Sequence, residues 1–286
     1  MSGEISSLEE YVKEICTLGK LGGRLCYRGQ PESGLTLKPV VFRKQAYVDA
    51  EHTLLRDLVA LHPEEFASDS TTLERLVRAR HYSLPTRLLD VTWNPLVALY
   101  FAAQTNSKRT GEVIVFRIEE GQFKFYDSDT VSCVANLAHL RPEEKKRIDD
   151  LLNGKGSVRR KKFNREPPVD RLLQFIRMEK SYFRDRIVPK HLKTVLCVKP
   201  KQNNPRILAQ AGAFLLFATD RNLESHPVPG ITAKRIEINK AEILGHLDTM
   251  GVKEHVLFPE IENAAKYLGK AVADANPVGT AAPSTP

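Results

Sequence analysis

A dense polar segment that runs into an apolar helix constrains the fold of this chain more than any other stretch. Residues 81–90 read His-Tyr-Ser-Leu-Pro-Thr-Arg-Leu-Leu-Asp, and Thr92 and Asn94 follow before the apolar run 96–103. That run must be largely buried, and polar groups held beside a core need partners, because an unpaired buried polar group costs about 1–3 kcal/mol. The polar side chains of the segment therefore either bond one another and the backbone as a structural clasp, or converge on a ligand.

A structural role accounts for part of this segment. Asn94-Pro95 is typical of the N-cap and first residue of a helix. Asp90 is expected to pair with Arg87, or to accept hydrogen bonds from Thr92 and from backbone amides. Since a helix cap needs only one or two polar side chains, capping does not explain the whole cluster.

Polar residues at three further points are candidates for a binding site. Arg28 lies at the end of a predicted strand, where its planar guanidinium suits two phosphate or carboxylate oxygens at once, and Gly29 beside it would let a ligand approach the backbone. Gln210 precedes an apolar strand, where its amide can orient a ligand hydroxyl or amide, and His81 opens the polar segment. The alternatives are a surface arginine, a polar residue in a turn and a histidine satisfied by structural hydrogen bonds.

The composition is that of an ordinary globular protein. The chain has 286 residues, of which 42% are hydrophobic and 27% charged. It has no stretch of about eighteen apolar residues, and its acidic N-terminus lacks an apolar signal core. We therefore expect no transmembrane helix, no contact with a membrane and no secretion, and we place the protein in the cytoplasm.

Several catalytic motifs are missing from the sequence. It contains no His-Glu-x-x-His, no P-loop, no Gly-x-Gly-x-x-Gly and no Gly-x-Ser-x-Gly, which argues against several familiar enzyme classes. The four cysteines form no Cys-x-x-Cys pair, so we expect reduced, mostly buried thiols and no metal site.

The charge balance is basic. Lys and Arg number 43 against 35 Asp and Glu, which gives a net charge of +8. Such an excess favours a polyanionic partner (nucleic acid, an acidic protein or a phosphorylated small molecule), or is simply a solvated basic surface. Part of it lies in segment 155–165, predicted to be a mobile basic loop that either steers a nucleic acid or acidic partner or has no specific role. The candidate nucleic-acid-binding residues are Arg159, Arg160, Lys161 and Lys162.

Hydrophobic periodicity predicts an α+β chain. The elements alternate without a regular βαβ repeat, which favours a mixed or antiparallel sheet flanked by helices over a doubly wound sheet. We predict one domain over residues 1–271, with a helical insertion at about 129–190, and a disordered tail at 272–286. Strands are expected at 24–28, 111–118, 194–198, 213–218 and 234–238, and helices at 8–19, 47–61, 72–80, 96–103, 129–152, 170–180, 260–270 and, after an Asn239 N-cap, to 250.

A set of motifs across the chain carries a family resemblance. The motifs are Tyr27-Arg28-Gly29-Gln30, Leu37-Lys38-Pro39 with Phe42-Arg43, the segment 81–90, Asn94-Pro95 with 96–102, Arg206 with Gln210, Gly212, Ala213 and Phe214, and Leu257-Phe258-Pro259. Together they resemble the FRG domain, a family named for a Phe-Arg-Gly motif, over residues 8 to about 270. Three departures are Tyr27 in place of phenylalanine, Ser83 in place of the usual glycine, and Val91 in place of the usual tryptophan.

A weaker similarity is to ADP-ribosyltransferases. These enzymes combine an early arginine at a strand end, a Ser/Thr-containing strand that runs into an Ala-x-x-Phe-Ala helix, and a polar residue, usually glutamate, before a late strand. Arg28, then Thr92 with the helix 98–102, then Gln210 occur in that order here. The similarity implies an ADP-ribosyltransferase-like fold, although Gln210 is neutral where most of these enzymes carry a carboxylate.

The resemblance implies NAD-dependent ADP-ribosyl transfer, with NAD as a substrate. Arg28 would bind the pyrophosphate of NAD. Loss of nicotinamide leaves an oxocarbenium-like ribose, which Asp90 would stabilise. Gln210 would hold a ribose hydroxyl or the acceptor, and His81 would orient either one or act as a base on the acceptor. The other residues expected at the NAD pocket are Tyr27, Gly29, Gln30, Thr86, Arg87, Thr92 and Asn94.

The resemblance also implies a biological setting. It suggests a toxin or phage-defence effector that an inhibitory protein partner, an antitoxin, holds in check. The basic surface favours a nucleic-acid acceptor, RNA or DNA, over a protein acceptor. Two other classes of function stay open: a module that binds a nucleotide or nucleic acid without reacting, and an interaction domain whose polar clasp is purely structural.

Overall fold

A seven-stranded sheet lies at the centre of the fold. The computed structural model describes residues 4–105, 109–154, 159–219, 223–224, 227–261, 265 and 267–269. The strands are β1 (Arg24–Gln30), β2 (Leu88–Thr92), β3 (Gly111–Ile118), β4 (Phe123–Phe125), β5 (Val195–Lys199), β6 (Gly212–Phe217) and β7 (Ile231–Ile238).

Helices cover much of the rest of the described chain. The α-helices are α1 (Leu8–Gly19), α2 (Gln45–Leu61), α3 (Thr72–His81), α4 (Pro95–Ala103), α5 (Asp129–Ala135), α6 (Pro142–Asn153), α7 (Arg160–Phe163), α8 (Pro167–Glu179), α9 (Pro205–Ala209), α10 (Ile243–Thr249) and α11 (Glu254–Leu257). Short 3-10 helices lie at Val40–Arg43, Asn136–His139 and Pro189–Lys193.

The sheet opens at its centre, between β1 and β2. The order is β4-β5-β6-β2-β1-β3-β7, with every neighbouring pair antiparallel except β4 and β5. This mixed sheet with helices against it confirms the predicted α+β class. Strand β1 pairs with β3 from Arg24 to Gln30, but with β2 only where Tyr27 lies opposite Thr92. Strands β1 and β2 therefore separate beyond this single pair.

Two groups of helices cover the same face of the sheet. Side chains alternate between the two faces of a strand, so Leu88 shares a face with Thr92, and Thr92 with its partner Tyr27. Leu88 packs in a core with helices α2, α3, α5, α6 and α8. Tyr27 packs in a second core with α1, α4 and α10. The gap between β1 and β2 lies where these two groups meet.

Helices α1, α3 and α4 begin within one residue of the predicted positions 8, 72 and 96. Ser7 caps α1, because its hydroxyl accepts a hydrogen bond from the Glu10 amide at 3.2 Å. Thr71 and Glu74 form a reciprocal capping box at α3. Asn94 caps α4, as the Asn-Pro pair predicts.

Other boundaries differ from the prediction. The helix expected at 129–152 is split, since α5 ends at Ala135 and Pro142 starts α6 as a new first turn. Asn239 is not an N-cap: α10 begins only at Ile243, and the Asn239 side chain accepts a hydrogen bond from the Ala241 amide. The three-residue β4 is too short to show periodicity. The tail 272–286 and residues 155–158 of the basic loop lie outside the described residues.

Arg87 lies in the core of the fold. The residue is 1% exposed. Its Nε and Nη2 donate to the carboxylate of Glu51 at 2.9 and 2.5 Å, and its Nη1 donates to the carbonyls of Phe217 and Ala218 at 3.1 Å each. Lys145 of α6 donates to the same carboxylate at 2.7 Å. This cluster ties the start of β2 to α2, α6 and the end of β6.

Two expectations for Arg87 are therefore wrong. It does not pair with Asp90, and it does not contact a ligand pocket, because all three nitrogens of its guanidinium are bonded within the core. Burial raises the pKa of Glu51, but the charges and hydrogen bonds of Arg87 and Lys145 outweigh this effect and lower the pKa from 4.5 to about 2. The ionised Glu51 thus stabilises the fold above pH 4.5, and that stabilisation is lost as the pH falls towards 2.

We predict that Arg87→Ala lowers the free energy of unfolding by about 3–5 kcal/mol at neutral pH, because it leaves a buried carboxylate without its main partner. Urea unfolding measures this loss. The difference from the wild type should shrink as the pH is lowered below 4.5, since Glu51 can then become neutral in the variant. The control is Lys146→Ala, an exposed position on α6, which should cost less than about 0.5 kcal/mol. Equal losses in the two variants would contradict the prediction.

Candidate functional site

A cleft of about 370 Å³ opens between the two helix groups, over the gap between β1 and β2. Its walls come from β1, the end of α3, β2, α4, α9 and the start of β6. The polar and aromatic side chains that line it include Tyr27, Arg28, Arg80, His81, Asp90, Thr92, Arg206 and Gln210. The sequence singled out Arg28, His81, Asp90 and Gln210 as a catalytic group, and the fold brings all four to this cleft.

Asp90 is held between two arginines. Its Oδ2 accepts hydrogen bonds from Nε and Nη2 of Arg80 at 3.1 and 2.7 Å, and lies 3.8 Å from Nη1 of Arg28. The same Nη1 donates to the backbone carbonyl of Asp90 at 2.7 Å, in the gap where β1 and β2 are not paired. The Asp90 side chain is 44% exposed, against 17% for Arg28. The carboxylate is thus paired and still open to the cleft.

The cleft carries a net positive charge. Its charged lining side chains are three arginines, Arg28, Arg80 and Arg206, and one acid, Asp90. Burial lowers the pKa of Arg28 to about 10, an effect that Asp90 opposes and Arg80 adds to. Arg28 therefore stays protonated at neutral pH, and the arrangement favours an anionic ligand.

Gln30 supports Arg28 and does not line the cleft. It is 2% exposed. With its amide oriented to satisfy both ends, the oxygen accepts from Nε of Arg28 at 3.2 Å and the nitrogen donates to the carbonyl of Leu35 at 3.3 Å. The expectation that Gln30 contacts the cofactor is corrected: it positions the guanidinium that does line the cleft.

Gly29 is needed for packing. A Cβ built on Gly29 would lie 1.9 Å from the carbonyl oxygen of Ala98 and 2.7 Å from the amide nitrogen of Ala102, both on α4. The absence of a side chain lets α4 lie directly on β1. Gly29 also borders the cleft, so the expectation that a ligand approaches the backbone there stays a prediction.

Thr92 and Gln210 form one connected unit. The hydroxyl of Thr92 donates to the backbone carbonyl of Gln210 at 2.6 Å, and the side-chain amide nitrogen of Gln210 donates to the carbonyl of Leu257 at 3.0 Å. The second contact joins the Gln210 motif to Leu257-Phe258-Pro259, far apart in sequence. The amide oxygen of Gln210 accepts no hydrogen bond from any residue in the described part of the chain, so it can accept one from a ligand.

Glu260 is a functional candidate that the sequence analysis missed. Its Oε1 lies 3.0 Å from Nε2 of His81 and 3.8 Å from Nη1 of Arg206. Arg206 in turn stacks 4.7 Å from the ring centre of Phe258. The signal available in the sequence was the position of Glu260 directly after the Leu-Phe-Pro motif, and that of Arg80 directly before His81.

The backbone conformation at Ser83 explains why the motif usually has glycine at this position. Helix α3 ends in a Schellman turn, since the Ser83 amide donates to the Arg80 carbonyl and the Leu84 amide to the Ala79 carbonyl, both at 3.0 Å. This turn requires a left-handed backbone at Ser83, whose φ is +65°. Glycine adopts that conformation without strain, which is the physical reason for the usual glycine at this motif position.

Several predicted site residues do not reach the cleft. Thr86 is 1% exposed and bonds to the backbone of β2, and Asn94 is engaged as the cap of α4 with its Oδ1 2.9 Å from the Leu96 amide. Neither borders the cleft, nor does Arg87, so their assignment to the NAD pocket is corrected. The exposed candidates for nucleic-acid binding lie elsewhere, on and beside α7: Arg159, Arg160, Lys161 and Lys162.

Metal and membrane features are missing from the described part of the chain. No group of three or more His, Cys, Asp or Glu side chains there is arranged to hold a metal ion. The four cysteines are free thiols, of which only Cys16 is exposed. None of the described helices is both long enough and apolar enough to cross a bilayer.

Comparison with protein families identifies an FRG domain. Its family model matches residues 23–111, which run from β1 to the start of β3. The match includes Arg28, His81 and Asp90, whereas the motifs around Gln210 and Leu257 lie beyond it. Searches of curated proteins and of solved structures found no match to the chain.

We predict that Gly29→Ala lowers the free energy of unfolding by about 1–3 kcal/mol or more, because its Cβ would force β1 and α4 apart. The melting temperature should fall accordingly. Thermal unfolding followed by circular dichroism measures the change. Gly19→Ala is the matched control, since a Cβ there would meet nothing within 4 Å. A loss of stability no larger than that of the control would show that α4 does not rest on β1 as described.

Proposed function

We propose that this chain, which carries an FRG domain, is an NAD-dependent ADP-ribosyltransferase with a nucleic-acid acceptor, RNA or DNA. One observation carries the proposal. Arg28, His81, Asp90 and Gln210 come from distant parts of the chain and line a single positively charged cleft. The family resemblance supplies the expected chemistry, together with the setting of a cytoplasmic toxin or phage-defence effector checked by an inhibitory protein.

The cleft suits part of a dinucleotide. Its volume of about 370 Å³ falls within the usual range for ligand pockets. The pyrophosphate of NAD carries two negative charges, and Arg28 and Arg206 present guanidinium groups to the cleft that can bind them through charge-assisted hydrogen bonds. Tyr27 and Thr92 form part of the wall beside them. The amide oxygen of Gln210 would accept a hydrogen bond from a ribose hydroxyl.

Asp90 is the group that would stabilise the ribose as nicotinamide leaves. The bond from ribose C1′ to the nicotinamide nitrogen breaks, and its electron pair leaves with nicotinamide, so positive charge develops on the ribose. A fixed carboxylate aimed at that charge stabilises it without reorganisation. Arg80 and Arg28 hold Asp90 in one orientation, and its 44% exposure keeps it available.

His81 and Glu260 would complete the transfer. Glu260 accepts a hydrogen bond from Nε2 of His81, which favours the neutral tautomer protonated at Nε2 and leaves the lone pair of Nδ1 free to take a proton. As the acceptor forms its bond to C1′, it would pass its proton to Nδ1. The pair supplies a carboxylate-supported base in a cleft where Gln210 is neutral.

A second function is favoured by the pairing of Asp90 itself. Arg80 and Arg28 already neutralise this carboxylate, as in a site that binds an anionic nucleotide without reacting. Binding without turnover would then be the whole activity. The two possibilities differ in whether NAD releases nicotinamide.

We predict that Arg28→Lys weakens NAD binding by about tenfold or more, because an ammonium keeps the charge but loses the planar fork. Calorimetry measures binding, and release of nicotinamide from labelled NAD in the presence of RNA or DNA measures turnover. The control is Arg24→Lys, on the same strand but at a half-exposed position outside the cleft. Melting temperatures confirm that both variants are folded.

The result separates the alternatives. Nicotinamide release by the wild type that falls in Arg28→Lys but not in Arg24→Lys supports the transferase. Binding of NAD without release supports the binding module. If folded wild-type protein neither binds NAD nor releases nicotinamide, the transferase proposal is wrong.

We predict that Glu260→Gln lowers the rate of acceptor modification by about a hundredfold, the scale of general-base catalysis. The KM for NAD should not rise, since loss of the Glu260 charge beside Arg206 does not weaken the binding of the pyrophosphate. Steady-state rates with the acceptor provide kcat and KM separately. Glu254→Gln, at an exposed position of α11, removes the same charge and should leave both unchanged. An unchanged kcat in Glu260→Gln would exclude this role.

A further inference from the structure

The basic charge of this protein is concentrated in one segment. Residues 159–193 contain twelve Lys and Arg against four Asp and Glu, while the rest of the chain has thirty-one of each. The segment therefore accounts for the whole net charge of +8. It includes α7, α8 and the chain that leads back to β5.

Part of this charge is used within the fold. Arg177 pairs with Asp185. Lys180 is buried and pairs with Asp129 at 2.9 Å. Lys193 donates to the side chain of Asn153 at 2.7 Å. Two acids at the segment, Asp185 and Asp129, are thus already paired with basic side chains.

Arg171 also has a partner, because its Nη1 donates to the side-chain oxygen of Gln174 at 3.0 Å. The other eight basic side chains of the segment form an unpaired surface. All are exposed, and none makes an ion pair or side-chain hydrogen bond with another residue in the described ranges. Unpaired positive charge on one face attracts polyanions, since no internal acid has to be displaced. We call these eight residues the basic surface: Arg159, Arg160, Lys161, Lys162, Arg165, Arg184, Arg186 and Lys190.

A second cavity opens beside the basic surface. It has a volume of about 310 Å³ and is lined by Arg184, Arg186 and the exposed ring of Tyr182. From the side of α5 it is lined by Asp129, whose charge is balanced by Lys180. Tyr182 is 74% exposed, so its ring is accessible for stacking. The cavity shares no lining residue with the cleft that contains Asp90.

Asn164 joins the two halves of the basic surface. Its side chain donates to the carbonyl of Ile187 and accepts from the amide of Ile187, both at 2.9 Å. Ile187 lines the second cavity, and Asn164 directly follows α7. The basic residues of α7 are therefore held next to the cavity by a fixed pair of buried hydrogen bonds.

We propose that the second cavity and the basic surface bind single-stranded nucleic acid. The unpaired arginines and lysines would contact successive phosphates, and a base would stack on Tyr182 at the mouth of the cavity. Cationic grooves with exposed aromatic rings are the general means of binding single strands. An acidic peptide could pair with the basic side chains, but it has no base to stack on Tyr182 or to enter the cavity. The cavity and the ring therefore favour a nucleic acid over an acidic peptide. The proposal builds on the proposed function only in making this strand the acceptor, since the binding itself needs no NAD.

Fluorescence anisotropy of a labelled single-stranded RNA of about 16 nucleotides tests the proposal. We predict that the double variant Arg184→Glu, Arg186→Glu raises the Kd by about tenfold or more. The slope of log Kd against the logarithm of the salt concentration should fall by about one or more, as expected for the loss of at least one phosphate contact. Tyr182→Ala should raise the Kd about fivefold with the salt dependence unchanged, because it removes stacking and no charge.

The matched control is Lys13→Glu with Lys20→Glu, which makes the same change in net charge at exposed positions of, and next to, α1. If it weakens RNA binding as much as the reversal of Arg184 and Arg186, the binding is non-specific and the proposal fails. It also fails if the wild type does not bind RNA, or if polyglutamate or anionic phospholipid vesicles displace the RNA as efficiently as unlabelled single strands do.

A second readout separates this inference from the transferase proposal. Release of nicotinamide from NAD in the absence of acceptor should be the same in the wild type and in the variant with Arg184 and Arg186 reversed. Loss of RNA binding with intact NAD turnover locates the strand at the basic surface. RNA binding that the reversal of Arg184 and Arg186 leaves unchanged would overturn the assignment, whatever the outcome with NAD.

Discussion

The separation of β1 from β2 is the constraint on which the candidate site depends. Two central strands that stop pairing leave backbone groups without their usual partners, and buried backbone groups of this kind must be satisfied in another way. Here Arg28 donates to the carbonyl of Asp90 across the gap. The same guanidinium stays near the Asp90 carboxylate, which Arg80 also binds. The residues that satisfy the unpaired backbone of the sheet are therefore also residues that line the cleft. A structural clasp and a ligand site need not be alternatives.

Two arginines show how burial divides structural from functional roles. Arg87 and Arg28 both lie next to a carboxylate, and both belong to motifs of the family resemblance. All three guanidinium nitrogens of Arg87 are hydrogen-bonded within the core, so its charge stabilises the fold and is not available to a ligand. Arg28 is also desolvated, but its acidic partner remains exposed to the cleft, and Arg80 and Arg206 add positive charge there. The surplus of positive charge is what a ligand can meet.

The sequence predicted features that depend on neighbouring residues and missed those that depend on distant ones. The Asn94 cap was recognisable from the Asn-Pro pair because capping involves atoms within a few residues. The grouping of Arg28, Asp90 and Gln210 came from a resemblance, not from the residues alone. The partners Glu51 of Arg87 and Glu260 of His81 lie 36 and 179 positions away, and no local pattern reveals such pairs. The packing of Gly29 against α4 was missed for the same reason.

The two positively charged regions of this molecule differ in how they hold their charge. In the cleft, Arg28 is largely buried and its charge is balanced in part by Asp90, so dissolved salt screens it weakly. On the basic surface, the side chains are exposed and unpaired, so salt screens them strongly. A small anionic substrate held in the cleft and a long polyanion held at the surface would therefore respond differently to ionic strength. The fold keeps the two regions apart, since the helices of the basic surface pack on β2, β5 and β6, and those beside β1 form a separate core.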